Sequence, residues 1–500
     1  MLPYNPKSSE SIIEYAKKLV NKTLRQACDK NTVFKKVDGK GSFGNLLEYY
    51  YFKYKPNQNA HADFPNAEPG GGLELKSTGL LKYKGDDGFR INERLSLRHI
   101  NFDKDWESTF LESPLFKKIK NLLLVCYVRD KNLLDEDCLI KLVDKWSIPN
   151  EDIQIITHDF NIITEKIKAG LAHELSSSDT NYLEPSTTGE GHGKTVNQPF
   201  SKIPARPRRF AFKPSYMNYI LSNILIERYG KEQQSYFKKC IDDYSNLKPI
   251  KRNKLDSNLT FEQLTEKRLK KYYGLSEFEI ANILNIDFNI DRYGKPDKSF
   301  YARIVKKILS GEEKEISELV KADITLKAVR IELNEKPKQS ISSPAFKFVE
   351  DIYGSDWQQS DWRQTVKKRY LFVFFKINIE GNYVLEKFKI WNMPKKDIEE
   401  CERVWINTKM IISSGNIFNS YIRDKQTGKL RLTKKGKPYK KNNFPKMKDN
   451  KVCHVRPHGS DASSVYDLPV PDKKLGAMEY SKQCFWLNSS YIGSIYKNIK

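Results

Sequence analysis

Apolar residues recur at helical spacing near the start of the chain. Ile12, Ile13, Ala16, Leu19 and Val20 share a face, Ser8 stands at a cap position, and Leu24 and Ala27 extend the set after a short break. This predicts a helix over 8–28. The stretch 42–52 (SFGNLLEYYYF) predicts a second helix. Runs rich in Leu, Val and Ile at 73–76, 94–100 and 122–128 predict strands, and the polar turn within 80–88 predicts a hairpin loop. Further along, the pattern gives a helix at 161–175, a long Ser-, Thr-, Gly- and Pro-rich loop at 176–200, and a helix at 216–227. Residues 231–258 are charged and weakly periodic, which suits a domain boundary. No apolar run reaches the ~18 residues that span a bilayer; 122–128 and 370–375 have the length of buried strands.

The second half repeats this order. Residues 259–284 resemble the opening helix pair, and Ser299-Phe300 echoes Ser42-Phe43. Ile324-Thr325-Leu326-Lys327 echoes Leu73-Glu74-Leu75-Lys76, 366–373 echoes 117–124, and 485–492 echoes 210–217. The offsets drift only from about 249 to about 275, so the shared order points to a duplicated domain.

Composition narrows the class. At 500 residues, with 39% hydrophobic and 12% aromatic content, the chain can build packed cores, and two domains is the simplest division. Seven cysteines without CxxC spacing fit a reducing cytoplasm and argue against a cysteine zinc site. The first ten residues hold no apolar signal-peptide core. The formal charge of +24 is unevenly spread: residues 1–200 carry 28 basic and 28 acidic side chains, residues 201–500 carry 59 and 35. Between 194 and 213 lie Lys194, Lys202, Arg206, Arg208, Arg209 and Lys213 with no acid. Between 423 and 451 lie twelve basic residues against Asp424 and Asp449. Basic clusters with interleaved aromatics suit a phosphate backbone, although a single such run also suits a solvated loop. Neither run is an amphipathic helix, so a membrane surface is disfavoured.

The chemistry is carried by Asp63 followed by Glu74-Leu75-Lys76. Glu74 and Lys76 lie two apart on an expected strand and leave the same face. The Pro-Gly-Gly-Gly stretch at 69–72 lets the chain turn back toward Asp63. Two carboxylates and a backbone carbonyl are hard oxygen ligands suited to Mg²⁺. A neighbouring lysine can orient a water or offset charge developing on a phosphate. This is the pattern of PD-(D/E)xK nucleases, with Ala62 in place of the proline; alone it also describes a solvated strand edge. The seven histidines show no zinc spacing, and Gly70-Gly71-Gly72 lacks a Walker ending.

Context sharpens the reading. KGSFGNLLE at 40–48, ADF…GLELKST, FKKIKNLLLVCYV, AHEL…NYLEP and FAFKPSYM together resemble the MutH mismatch-repair endonuclease and the Sau-type GATC-specific type II restriction endonucleases. The MutH-like match covers roughly 8–225, and the restriction-enzyme match runs the full length, through CHVRPH at 453–458 and QCFWLNSSYI. The resemblance implies an α/β protein of two tandem MutH-like restriction-endonuclease-fold domains, each a mixed central sheet flanked by helices. Residues 1–225 would be catalytic, 226–254 a linker, and 255–500 a degenerate DNA-binding or allosteric domain. Asp63 and Glu74 would bind Mg²⁺, Lys76 would be the catalytic lysine, Lys118 a second active-site lysine and Glu48 an accessory acid. Lys40 and Gly41 would belong to a DNA-touching loop.

The chain departs from the family pattern in three places. The Asp63–Glu74 spacing is longer than in MutH enzymes, leaving Glu68 as a rival ligand. Ser186-Thr187 replaces a recognition Arg-Pro, and Ala211 replaces a recognition tyrosine. Base contacts are thus open among 187–194 and Arg206, Arg208 and Arg209, with Lys213 beside them, because arginine binds guanine bidentately. In the second copy Thr325 replaces Glu74 and Lys306 falls near Glu48, yet Arg456-Pro457 resembles the recognition pair, with His458 adjacent. Loss of both acids with retention of basic contacts suggests binding without cleavage. The expected function is Mg²⁺-dependent cleavage of double-stranded DNA at GATC, before the G, leaving 5′-phosphates. The expected protein is cytoplasmic, a monomer that associates into a dimer on DNA, with a cognate DNA methyltransferase acting on the same site. The alternatives are a strand-nicking repair enzyme and a non-enzymatic DNA-binding regulator.

Overall fold

A computed structural model describes residues 2–35, 42–55, 61–83, 86, 88–187, 194–253, 256, 259–292, 294, 296–432, 436, 438–459 and 464–499. They form two compact units, Met1–Thr265 with Leu309–Asp323, and Glu266–Ile308 with Ile324–Lys500.

The first unit opens with helix α1 (Ser9–Lys17), capped by the Ser8 hydroxyl, and α2 (Leu24–Ala27), closed by a Thr23/Gln26 capping box. The expected helix over 8–28 breaks between them. Asn21 takes a left-handed φ of 61°, and its N–H reaches the Ile140 carbonyl at 2.8 Å. Helix α3 (Ser42–Leu46) runs into a π-helical turn, Leu47–Tyr51, that carries Glu48. Strands β1 (Glu74–Lys82), β2 (Phe89–Ile91) and β3 (Leu95–His99) follow, then α4 (Pro114–Ile119), β4 (Asn121–Val128) and β5 (Ile140–Ser147). The sheet order is β2-β1-β4-β5: β1 and β4 are parallel, with Glu74 opposite Leu122, while β2 and β5 are antiparallel edges. The hairpin expected at 80–88 joins β1 to β2. Beneath this sheet Ile12, Ala16, Phe43, Leu47, Phe52, Leu75, Leu123 and Val125 form one buried cluster. Burial of this kind, at ~25 cal/mol per Å², is what holds α1 and α3 against the strand that carries the acids.

Helix α5 spans Asn150–Lys168, not 161–175. Glu151 and Asp152 in its first turn favour the early start, and Gly170, at φ 71°, ends it. The loop expected at 176–200 contains two strands, β6 (Leu183–Thr187) and β7 (Val196–Gln198). After β8 (Ser201–Ala205) comes β9 (Arg208–Phe212), and a second sheet has the order β3-β9-β6, all antiparallel. Helices α6 (Pro214–Arg228), α7 (Lys231–Ser235) and α8 (Lys238–Ser245) complete this run, so much of the stretch read as a linker is helical and belongs to the first unit.

The chain continues through α9 (Phe261–Lys270), α10 (Glu277–Leu284), α11 (Phe300–Ser310) and α12 (Ser317–Lys321) to β10 (Ile324–Ile331) and β11 (Ile341–Ser342). Then come α13 (Asp361–Lys367), β12 (Arg369–Ile377), β13 (Tyr383–Asn392) and α14 (Lys395–Ser413). The last elements are β14 (Phe418–Tyr421), β15 (Lys440–Asn442), β16 (Cys453–Pro457), β17 (Val465–Asp467), β18 (Glu479–Ser481), β19 (Gln483–Leu487) and α15 (Ser489–Lys497). Strand β10 is parallel to β12, and β12 is antiparallel to β13. This is the pairing of β1, β4 and β5. A 19-residue helix after a proline follows in each case, α5 after Pro149 and α14 after Pro394. A three-stranded β11-β19-β16 sheet has the same antiparallel pattern as β3-β9-β6. Among the described residues no helix is long and apolar enough to cross a membrane.

Candidate active site

The two acids meet because the chain between them closes on itself. Phe64 and Leu73 exchange both backbone hydrogen bonds at 3.0 Å, so residues 65–72 make a short excursion that returns to its starting point. Gly70, Gly71 and Gly72 all have positive φ, which side-chain-bearing residues rarely adopt. The Asn121 amide, at the head of β4, donates to the Gly70 and Gly72 carbonyls at 2.8 and 3.2 Å and ties the excursion to the sheet. Glu68 accepts from the Gly70 and Gly71 N–H groups. It therefore braces this turn, and its carboxylate is engaged there and not with Glu74.

Asp63 Oδ2 accepts from the Leu75 N–H at 2.9 Å, and the Asp63 N–H donates to Glu74 Oε2 at 3.1 Å. On the strand, Lys76 Nζ lies 2.5 Å from Glu74 Oε1, as side chains two apart on one face should. Lys118, in the last turn of α4, brings Nζ to 3.3 Å from the same oxygen and donates to the His61 carbonyl at 3.2 Å. Glu74 is 1% exposed and Lys118 8%. The structure thus gathers Asp63, Glu74, Lys76 and Lys118 into one cluster at the start of β1.

Electrostatics bring Glu48 into the same environment. Burial raises the Glu48 carboxyl above the usual range; the Lys76 and Lys118 charges oppose this and Glu74 adds to it. Burial, then the Glu74 carboxylate, pushes Asp63 up to about 7 against the pull of Lys76. Three carboxyls facing two ammonium groups leave an excess of negative charge when all ionise, which a cation would relieve. The donor set fits a hard cation. Among the described residues no group of three His, Cys, Asp or Glu stands at ligating positions. Mg²⁺ needs only one or two carboxylates and keeps its waters, whereas structural zinc would need a fuller set.

The expected DNA contacts are distributed differently. Lys40 and Gly41 lie outside the described residues, as do 188–193. Arg206 is exposed. Arg208 and Arg209 are half-buried on β9, opposite Thr187 and Ser186 of β6. Arg209 Nη2 lies 2.6 Å from His99 Nε2, and Arg208 Nη1 donates to the Pro185 carbonyl at 3.4 Å. Lys213 is buried at 7% exposure and donates to the Thr180 carbonyl at 2.6 Å, so it supports the 180–183 turn from within. In the second unit Arg456 and His458 are exposed on and just after β16 and flank Trp486: the Arg456 guanidinium sits 4.6 Å from the ring centroid, the His458 ring 5.7 Å.

Sequence reasoning missed two residues. His99 closes on Arg209 across β3 and β9, which the strand alternation at 94–100 could have suggested once its partner was known. Tyr54, just beyond the second helix, bears on the carboxylates.

A mixed sheet with paired acids and a lysine at the head of a parallel strand defines a restriction-endonuclease-like α/β protein. Residues 52–159 match the family model described as DNA mismatch repair enzyme MutH. That span holds Asp63, Glu74, Lys76 and Lys118. Over 521 aligned residues the chain is 28% identical to the type II restriction enzyme Sau3AI of Staphylococcus aureus, and the alignment covers 97% of each chain. Both comparisons thus support a likeness to the MutH/Sau-type restriction endonucleases.

Proposed function

We propose that this protein is a type II restriction endonuclease that hydrolyses duplex DNA with Mg²⁺, at GATC and before the G, leaving 5′-phosphate and 3′-hydroxyl ends. The observation that carries this reading is the cluster of Asp63, Glu74, Lys76 and Lys118 at the start of β1. Asp63 and Glu74 would hold the divalent cation, which supplies Lewis-acid stabilisation of the phosphate and makes a water more acidic. Lys76, set by its bond to Glu74, orients the attacking water for in-line attack on phosphorus. Lys118, fixed by Glu74 and the His61 carbonyl, sets a positive charge beside the phosphate oxygens as charge builds on them. Glu48 takes up a proton more readily than a solvated acid, because burial favours its neutral form.

On this reading the chain is two tandem MutH-like domains: 1–225 catalytic, 226–254 a largely helical connection that packs within the first unit, 255–500 a non-cleaving DNA-binding or allosteric domain. The repeated strand pairing and the 19-residue helices support duplication. Thr325, opposite Tyr370 on β12, stands where Glu74 pairs with Leu122 on β4, so this position offers no carboxylate; burial pushes the Lys327 ammonium below its usual range. Two chains would meet on DNA to cut both strands, and a methyltransferase of the same specificity would protect the host.

Plasmid incubated with and without Mg²⁺ tests the assignment. A fixed fragment ladder that ends at GATC supports it. A nicked circle would support the strand-nicking alternative, and intact DNA the regulator.

A further inference from the structure

The tyrosine that follows the π-helical turn is held in an unusual way. Lys53 adopts a left-handed φ of 61°, a conformation that costs a side-chain-bearing residue energy and persists only where its surroundings fix it. This turns the chain so that the Tyr54 N–H donates to the Glu48 carbonyl at 3.1 Å. The Tyr54 ring stands edge-on to Phe64, the residue after Asp63, with centroids 5.5 Å apart and planes at 84°. Tyr54 is therefore tied by its backbone to one acid and by its ring to the neighbour of another. Its hydroxyl is buried and makes no hydrogen bond among the described residues. Buried polar atoms are nearly always paired, so an unpaired one on a residue bonded to the Glu48 backbone and packed on Phe64 asks for a function. Burial first, then the carboxylates of Asp63, Glu48 and Glu74, raises this phenol far above its usual range and keeps it a neutral donor.

The donors on the Glu74 side are cationic, Lys76 and Lys118. Beside Asp63 and Glu48 a further ammonium group would repel an incoming cation. A phenol orders carboxylates and the water between them without adding charge. The second half of the chain is consistent with this. Where Thr325 replaces Glu74, no tyrosine occurs from Ala302, within α11, to Ile352. The phenol is absent where the acid is absent.

We propose that Tyr54 is a positioning residue of the cation site, its hydroxyl donating to the oxygen shell that a cation bound at Asp63 would gather beside Glu48. This rests on the Mg²⁺-dependent reading above. It predicts that the hydroxyl matters to cation binding and turnover and not to folding.

Tyr54→Phe removes the hydroxyl alone. Mn²⁺ affinity of the full-length protein is read by electron paramagnetic resonance, turnover on GATC-containing DNA at saturating Mg²⁺, and melting temperature without metal. Loss of a hydrogen bond to a ligand shell typically weakens metal affinity or activity by roughly 10–100-fold. The expected result is a loss of that size in either quantity, with DNA affinity unchanged and a melting temperature equal to or above that of the wild type. Wild-type Mn²⁺ affinity and turnover in the variant would overturn the assignment, as would a lowered melting temperature with unaltered Mn²⁺ affinity. A wild-type protein that takes up no Mn²⁺ overturns the cation reading itself, and Tyr54 with it.

Discussion

Glu74 is the residue on which the candidate site turns. It is almost wholly buried, yet two lysines and the Asp63 N–H converge on its carboxylate. Glu74→Gln keeps the shape and removes the charge. Cleavage should fall by at least ~10²–10³-fold, the loss typical of removing one preorganised electrostatic group, while DNA affinity in a filter-binding assay stays within about twofold. Glu74→Ala is the harsher change, because it leaves the Lys118 ammonium buried without that partner. Asp63 offers a pH test. Its carboxyl titrates near 7 in the folded, metal-free chain against 3.8 ordinarily. Folding thus favours the protonated form. The associated stability is fully present below pH 3.8 and is lost as pH rises through about 7. Metal-free protein should melt lower at pH 8 than at pH 5 on this account. Asp63→Asn should remove that contribution and raise stability at pH 8 by on the order of 2 kcal/mol, discounted from ~1.4 per unit because the carboxyl is only partly buried. The same variant should not cleave. Calorimetry at both pH values checks the first claim; a variant that melts below the wild type at pH 8 contradicts it.

At the scale of elements, the strand that carries the candidate acids was legible and the strands β6 and β7 were not. Glu74-Leu75-Lys76 opens a run of Leu-rich, mostly buried positions that the structure folds as β1, and β4 reads equally plainly. By contrast 176–200 looks like loop because Ser, Pro and Gly dominate it, yet Leu183–Thr187 pairs with β9. That pairing depends on Asp159, a residue remote in sequence. Fully buried on α5, it accepts from the backbone N–H groups of Asn181, Tyr182 and Leu183 at 2.6, 2.6 and 3.0 Å. No local periodicity encodes such a contact, and α5 begins after Pro149 without a side-chain cap to mark its start. Asp159→Ala should cost about 3 kcal/mol, since it orphans several buried donors at once. It should also loosen the β6–β9 pairing that presents Thr187 and Arg208. Hydrogen exchange at Tyr182 and Leu183 would rise well above that at Leu123. Equal protection at the two places would show that the turn holds without the carboxylate. The Lys213 ammonium, expected to touch DNA, is instead part of this support. Charge patterning marks where cations are and cannot say which of them face inward.

At the scale of the whole molecule, the uneven charge acquires a structural setting. Residues 1–200 balance their acids and bases, and the acids include the clustered Asp63, Glu74 and Glu48. The surplus lies beyond residue 201, and in the second unit Arg456 is exposed over Trp486, a geometry that limits guanidinium motion. Arg456→Ala in the full-length protein should weaken specific DNA binding by about 1–3 kcal/mol and reduce discrimination between GATC and other sequences. A uniform loss across all sequences would mark a phosphate contact instead. The repeated strand pairing of β1/β4 and β10/β12 was legible as motif order, because each strand keeps a short apolar signature. The paired helices α5 and α14 were not, since their match lies in length and proline start and not in sequence.

On the proposed function, one acid cluster, at the head of β1, cuts DNA. The most direct measurement is end-mapping of a GATC-containing duplex treated with Mg²⁺ and full-length protein, wild type beside Asp63→Ala. The account predicts 5′-phosphate ends before the G of GATC from the wild type and no product from the variant. Equal cleavage by Asp63→Ala, or wild-type cleavage undiminished in chelator, would contradict it.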